Sequence, residues 1–293
     1  MFIFMSFNSS QLPPLLEVVK QFGLLQNKVH SKKLGQNFLF DTNLLHKIVR
    51  SAGNFDGVYA LEVGPGPGGL TRCLLETNAK HVYAIERDAI CIQALQGLKD
   101  ASNGRLTVIE GDALRLKPLD LIPSDQPIKI VANLPYNVGT EILIQWLKNS
   151  KNIQSMTLMF QQEVAERIVA PVNTNHYGRL SILAQYICEA TFLFSVPPTA
   201  FTPAPKVFSA VVHLVPKSLT EEEQNLIPIL EQTTQAAFSQ RRKMVRSSLK
   251  SLGLKEEALL KALAHCQILE TQRPETITVQ QFVAFAKYLD AAR

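Results

Sequence analysis

The chain has 293 residues, 46% hydrophobic and 19% charged, with 30 Lys+Arg against 25 Asp+Glu and a sequence pI near 9.0. That composition excludes a disordered or fibrous chain, leaves room for one large domain beside a smaller one, and permits a polyanionic partner without requiring one. Cys73, Cys91, Cys188 and Cys266 form no C-x-x-C pair and the six histidines no H-E-x-x-H group, so neither a disulfide framework nor a metal site is expected.

The N-terminal "MFIFMSFNSSQLPP" is apolar but lacks a basic n-region and a long apolar core, so no signal peptide is expected, and Met5 is an alternative start. No stretch approaches the ~18 to 20 apolar residues of a membrane span. The expectation is a soluble, cytoplasmic protein. Residues 12–22 read as a short amphipathic helix behind prolines. The basic segment "KVHSKKLGQNFLFDTN" follows, and Asp41 or Thr42 is placed to cap a helix running to about Ala52.

From there apolar runs alternate with helical patterns. "VYALEV" (58–63), "HVYAIE" (81–86), "LTVIE" (106–110), "IKIVAN" (128–133) and "SMTLMF" (155–160) read as strands. Because they are apolar on both faces and separated by helices, they predict a parallel sheet covered on both sides. "ATFLFSVPP" and "VFSAVVHLVP" predict two late strands, antiparallel at the sheet edge. Beyond a boundary at residues 216–220 only helical periodicity remains, including "RRKMVRSSLKSLG". The division is a 1–27 helical extension, a 28–217 α/β domain and a 218–293 helical domain.

"LEVGPGPGGLT" (61–71) puts Gly64, Gly66 and Gly69 at the end of the first large strand, in a G-x-G-x-x-G pattern that is weak alone. A tight strand-to-helix turn without a ligand is the plainer, lesser alternative. Three acids sharpen it. Glu62, just before the glycines, would repel a pyrophosphate but suits a cationic ligand. Glu86, ending the second strand 22 residues after Gly64, suits ribose hydroxyls, and Asp112 after the third could accept from an adenine amine. Together they describe a nucleoside site with carboxylates and no phosphate cradle. S-adenosylmethionine fits that description, whereas NAD fits less well, given Glu62 and the loop prolines Pro65 and Pro67.

"NLPY" (133–136) closes the fourth strand. An exocyclic adenine amine is a poor nucleophile because its lone pair is delocalised into the ring. The Asn133 side-chain oxygen and Leu134 carbonyl could accept both its N–H groups and favour a pyramidal nitrogen. Pro135 fixes φ, and Tyr136 offers a ring for stacking. Phe201, in the proline-rich loop "VPPTAFTPAPKV", is the candidate for the opposite face of the base. The plainer readings are a surface turn for "NLPY" and a hydrophobic plug for Phe201.

"KKLGQNFL", "EVGPGPGGLT", "ERD", "GDAL", "NLPYN", "FQQEVAERI", "YGRLS", "FTPAPKV" and "RRK" occur in that order. In this combination, over nearly the whole chain, the sequence closely resembles the KsgA (RsmA) small-subunit rRNA adenine dimethyltransferases. The resemblance implies a Rossmann-like class I S-adenosylmethionine-dependent methyltransferase sheet with a small all-helical C-terminal domain. It implies methyl transfer from S-adenosylmethionine, without a metal, to N6 of two adjacent adenosines in the 3′-terminal hairpin loop of 16S rRNA, on the 30S particle. Cofactor contacts carry over to Asn37, Leu39, Gly64, Glu86, Asp112 and Asn133, and catalytic or base-holding roles to Asn133, Leu134, Tyr136 and Phe201. Gly139 stands where many members have Ser, a departure given little weight.

Arg241, Arg242, Lys243, Arg246 and Lys250 lie in a segment without an acid and make a candidate RNA-binding surface, with Lys28, Lys32 and Lys33 a second patch. A solvated basic helix is the bland alternative. The free protein is expected to be monomeric. The rivals are an Erm-type 23S rRNA adenine methyltransferase and a non-catalytic RNA-binding assembly factor on the same fold. A DNA adenine methyltransferase fits less well, since those carry Pro-Pro after the Asp or Asn.

Overall fold

The structure, a computed structural model, describes residues 7, 9, 12–25, 36–117, 120–123 and 125–291. Lys28, Lys32 and Lys33 lie outside the described residues. The chain divides into two compact units. One holds the described residues of 1–165 together with Thr191–Val215, the other Glu166–Ala190 and Pro216–Arg293. Residues 166–190, which the sequence division assigned to the α/β domain, group instead with the C-terminal helices.

In the first unit, α1 (Leu15–Gln21) starts behind Pro13 and Pro14, whose fixed φ suits a helix start. β1 (Phe38–Leu39) was not expected from the sequence. Its backbone pairs antiparallel with β8 (Phe201–Thr202), Phe38 opposite Thr202 and Leu39 opposite Phe201. Asp41 caps α2 (Thr42–Ser51), accepting from the N–H groups of Asn43 at 2.9 Å and Leu44 at 3.2 Å.

The main sheet contains β2 (Tyr59–Val63), β3 (His81–Glu86), β4 (Leu106–Glu110), β5 (Ile128–Asn133), β6 (Ile153–Gln161), β7 (Cys188–Val196) and β9 (Ser209–Pro216), in the order β4-β3-β2-β5-β6-β9-β7. The first five in that order run parallel, and β9 is antiparallel to β6. The two late strands are neighbours, but β9 is inserted between β6 and the edge strand β7. α3 (Gly69–Leu75) follows β2, α4 (Ala89–Ala101) follows β3, and α5 (Gly139–Lys148) follows β5.

Ala60, Leu61, Val82, Ala84, Ile130 and Val131 are fully buried, the pattern of strands covered on both faces. Lys129, in the middle of β5, is the exception to the apolar run. Its Nζ donates to the Ala52 carbonyl at 2.6 Å and lies 5.3 Å from the Phe55 ring centre, and burial pulls its pKa down. On α2, His46 meets Glu76 at 2.7 Å and the Thr42 carbonyl at 2.8 Å, with Cys73 beside them, so these residues tie α2 to the end of α3.

Sheet order reverses at β2, which has β3 and then β4 on one side and β5 on the other. In parallel sheets, crevices open at the carboxyl ends of strands at such a switch. Every acid and the tetrad singled out in the sequence lie at that end.

The second unit is helical apart from the strand ends it includes: α6 (Gln162–Val169, whose first residues belong to the first unit), α7 (Arg179–Ile187), α8 (Glu221–Asn225), α9 (Ile227–Phe238), α10 (Val245–Ser248), α11 (Glu256–His265) and α12 (Val279–Ala291). Its centre is aromatic. Fully buried Tyr177 meets Phe238 edge-on at 6.3 Å and donates its hydroxyl to the Ile277 carbonyl at 2.9 Å, and Phe238 lies 5.9 Å from Phe282. Among the described residues no helix is long and apolar enough to cross a membrane.

Candidate active site

A cavity at the carboxyl ends of β2, β3 and β5 is lined by Asn37, Leu39, Glu62, Gly64, Gly66, Glu86, Asp112, Asn133, Leu134 and Tyr136, with Gln36 and Arg87 at its side. All six expected cofactor residues therefore lie on one cavity, together with three of the four expected base-holding residues. Phe201 does not line it. Its side chain is 3% exposed and packs in the hydrophobic core. Its β8 backbone pairs with Leu39, which seats the ring inward, so in this conformation it acts as the plug rather than as a wall of the cavity.

The glycine loop lets backbone approach where side chains could not. Gly64 and Gly66 have φ of +70° and +54°, and a Cβ on Gly66 would sit 2.9 Å from Phe38 Cε1. Gly66 N–H donates to Glu86 Oε2 at 3.0 Å, while Glu86 Oε1 accepts from the N–H groups of Arg87 and Asp88 at 2.8 and 2.9 Å. These bonds aim the carboxylate across the loop. Burial nevertheless holds its pKa above the ordinary carboxylate value, the three backbone bonds opposing.

Glu62 is 2% exposed and accepts from Thr71 Oγ1 at 2.6 Å. Burial pushes its pKa up to about 8, with the Thr71 hydrogen bond opposing and the Glu86 charge adding. Asp112 is already engaged. Oδ1 accepts from Leu114 N–H at 3.0 Å, and Oδ2 lies 3.5 Å from Arg87 Nη1. Among the described residues Arg87 is thus the one arginine or lysine on the cavity lining, and its charge is met by a carboxylate. Among the described residues that leaves no free cation on the lining to seat a pyrophosphate.

At the end of β5, Asn133 donates its Nδ2 to the Asn37 carbonyl at 3.3 Å. Among the described residues no donor is paired with Asn133 Oδ1 or with the Leu134 carbonyl. Pro135 accepts from Val138 and Gly139 N–H groups at 3.2 and 2.8 Å, which folds the tetrad into a turn before α5. Tyr136 Oη lies 2.5 Å from Ser209 Oγ. Burial raises the Tyr136 pKa, with the Ser209 bond opposing, so the phenol stays protonated at neutral pH.

Two functional features escaped the sequence, and a third, Gly139, was given too little weight. Gln36 lines the cavity, donates to Asp88 Oδ2 at 2.7 Å and leaves its Oε1 buried with no partner among the described residues. Its only signal was its place in the "GQNFL" segment. Ser209 lies 73 residues beyond Tyr136. Gly139 underlies the tetrad, since a Cβ there would come 3.1 Å from Leu134 Cβ. Its departure from the family pattern therefore touches the site.

The basic segment differs from expectation. α9 ends at Phe238 and α10 starts at Val245, so Arg241, Arg242 and Lys243 lie in an exposed turn rather than on a helix. Arg246, expected as an RNA contact, is held by the carboxylates of Glu256 and Glu270, the latter at 2.7 Å. Its charge is neutralised by residues 10 and 24 positions further on, which a local reading of an acid-free segment does not include.

A mixed sheet with five parallel strands, its glycine loop, successive strand-end acids and an N-L-P-Y turn on one cavity define a class I methyltransferase. The sequence model of the ribosomal RNA adenine dimethylase family matches residues 27–291, and the chain belongs to that family. Ribosomal RNA small subunit methyltransferase A of Paracoccus denitrificans is 52% identical over 286 residues, covering 96% of this chain and 97% of the relative. The crystal structure of a dimethyladenosine transferase from Plasmodium falciparum aligns with a TM-score of 0.73 and 26% identity, over 85% of this chain and 95% of that one. The 23S rRNA methyltransferase ErmE, at 24% identity and a TM-score of 0.65 over 87% of this chain and all of the other, shares the fold.

Proposed function

We propose that the protein methylates N6 of two adjacent adenosines in the 3′-terminal hairpin loop of small-subunit rRNA, dimethylating each on the 30S particle. The observation that carries this reading is the pair of unspent acceptors, Asn133 Oδ1 and the Leu134 carbonyl, on a cavity walled by the Tyr136 ring. A primary amine needs two acceptors, and a planar base needs a ring.

The cavity residues fit S-adenosylmethionine. Glu86 suits a ribose diol, the buried Glu62 an ammonium, and the Gly64–Gly66 backbone a close nucleoside, while Arg87 on the lining is already met by Asp112. S-adenosylmethionine supplies an activated methyl group there. The protein's residues then orient and exclude. Asn133 and Leu134 accept the amine hydrogens, which turns the nitrogen lone pair out of conjugation. Tyr136 holds the base plane, and Glu62 and Glu86 fix the cofactor. No strong base is needed, because alignment with an activated methyl supplies much of the rate and a cationic nitrogen loses its proton readily.

Arg241, Arg242 and Lys243, exposed on one turn of the helical unit, would contact rRNA phosphates. A substrate of this kind would place the enzyme in the cytoplasm, acting on ribosomal particles. Incubation of the full chain with labelled S-adenosylmethionine and unmethylated 30S or 50S particles tests the reading. Label in 30S rRNA supports it, and label confined to 50S rRNA replaces it with an Erm-type activity.

A further inference from the structure

Ser209 is the first residue of β9, opposite Gln161 of β6, and is fully buried. Its hydroxyl meets Tyr136 Oη at 2.5 Å, and Tyr136 is its only described side-chain partner. Buried hydroxyls are nearly always hydrogen-bonded, so each of these groups depends on the other. The contact spans the sheet, because β6 lies between the strand that carries the tetrad and the strand that carries the serine.

We propose that Ser209 is a positioning residue for the methyl-transfer reaction, acting through Tyr136 to set the platform on which the target base stacks. This inference rests on the reading given under the proposed function.

The geometry gives the role its content. The Tyr136 backbone is held in the turn that follows Pro135, whose carbonyl is capped by Val138 and Gly139. The remaining freedom is in χ1 and χ2. The phenolic oxygen lies on the Cβ–Cγ axis of the ring, so a bond at that point fixes χ1 and therefore the direction in which the ring projects. Rotation about the axis is left to the neighbouring walls. Ser209 thus decides whether the ring stays on the cavity it shares with Asn133 and Leu134 or swings away.

The partner chosen for the phenol is a neutral hydroxyl. A cation there would stabilise loss of the phenolic proton and make a base of Tyr136. A serine holds it and leaves the ring neutral, which suits a stacking surface and not an acid–base group. Ser209 itself does not line the cavity, so it touches neither base nor cofactor.

The test is a double-mutant cycle on the full chain with Ser209→Ala, Tyr136→Phe and the pair, using unmethylated 30S particles in single turnover. A second readout is the fluorescence of 2-aminopurine placed at the target position of a 3′-terminal hairpin, which stacking on Tyr136 quenches. Each single variant is expected to slow transfer by about three- to tenfold, the scale of one buried hydrogen bond. Both should lose quenching while S-adenosylmethionine affinity stays within about twofold. The double variant should be no slower than Tyr136→Phe, because Ser209 has no path to the base except through the phenol. Wild-type rate and quenching in Ser209→Ala, or multiplied losses in the double variant, overturn the proposal. If the wild-type chain itself leaves 30S rRNA unlabelled, the functional reading fails instead.

Discussion

Asn133 and Asn37, 96 residues apart, are joined by a hydrogen bond from the Asn133 amide nitrogen to the Asn37 carbonyl, at 3.3 Å. One link therefore ties the tetrad of β5 to the segment before β1. It also decides which way the amide faces: the nitrogen is spent, and the oxygen is left to accept. Replacing Asn133 with Asp would set a carboxylate oxygen against that carbonyl, and replacing it with Ala would remove the acceptor. Both variants are expected to lose methyl transfer by about a hundred- to a thousandfold, the cost of one well-placed polar group in an active site. Asn133→Asp should also weaken S-adenosylmethionine binding. Single-turnover rates and calorimetric affinities check this, and a wild-type rate in Asn133→Ala would sink the tetrad mechanism.

Glu62 predicts a pH dependence. Its pKa is about 8 in the folded protein against an ordinary 4.5. Between those values the folded chain holds a proton that the unfolded chain has lost, so the group's contribution to stability is complete below about pH 4.5 and disappears as pH rises through about 8. Glu62→Gln has no such loss. Its denaturation midpoint should therefore gain on that of the wild type as pH is raised from 5 to 8.5, and a constant gap would contradict the assignment. Cofactor binding near pH 7 should release a proton, seen as a buffer-dependent calorimetric enthalpy that Glu62→Gln abolishes.

Glu86 accepts three backbone N–H bonds, one of them from Gly66 in the glycine loop. A glutamine would turn an NH2 toward at least one of those donors. Glu86→Gln is expected to lower stability by about 1 to 3 kcal/mol and to weaken cofactor binding at least tenfold. Denaturant melts and calorimetry check both, and unchanged affinity would show that the carboxylate serves the loop alone.

Arg241 and Arg242 should count differently from Arg246. Each exposed arginine that meets a phosphate contributes about one unit to the slope of log K against log salt concentration. Arg241→Ala/Arg242→Ala should therefore flatten that slope for 30S binding by about two units. Arg246→Ala should leave it nearly unchanged, because Glu256 and Glu270 already hold that guanidinium. Filter binding across a salt series separates them, and a larger loss from Arg246→Ala would reverse the assignment.

The sheet was legible because its signals are local. His81–Glu86 and Leu106–Glu110 are apolar runs bounded by polar residues, and the structure forms strands over those same residues. The cavity was legible because glycines and acids fall at successive strand ends, where topology gathers them. What escaped depends on pairing across the chain. β1 is two residues long and exists through its bond to β8, and β9 enters the sheet between β6 and β7, which no spacing reveals. The turn after Phe238 has no glycine or proline to announce it. Val245 N–H instead bonds the Gln272 carbonyl at 2.7 Å, so the break is made by tertiary contacts. The partners of Arg246 and of Tyr136 were out of reach for the same reason.

The central claim is tested most directly by mass spectrometry of nucleosides from 16S rRNA, after the full chain has acted on unmethylated 30S particles with isotopically labelled S-adenosylmethionine. The account predicts labelled N6,N6-dimethyladenosine at two adjacent positions of the 3′-terminal hairpin, absent with Asn133→Ala. Label confined to other nucleosides, or to 23S rRNA in a parallel 50S incubation, would contradict it.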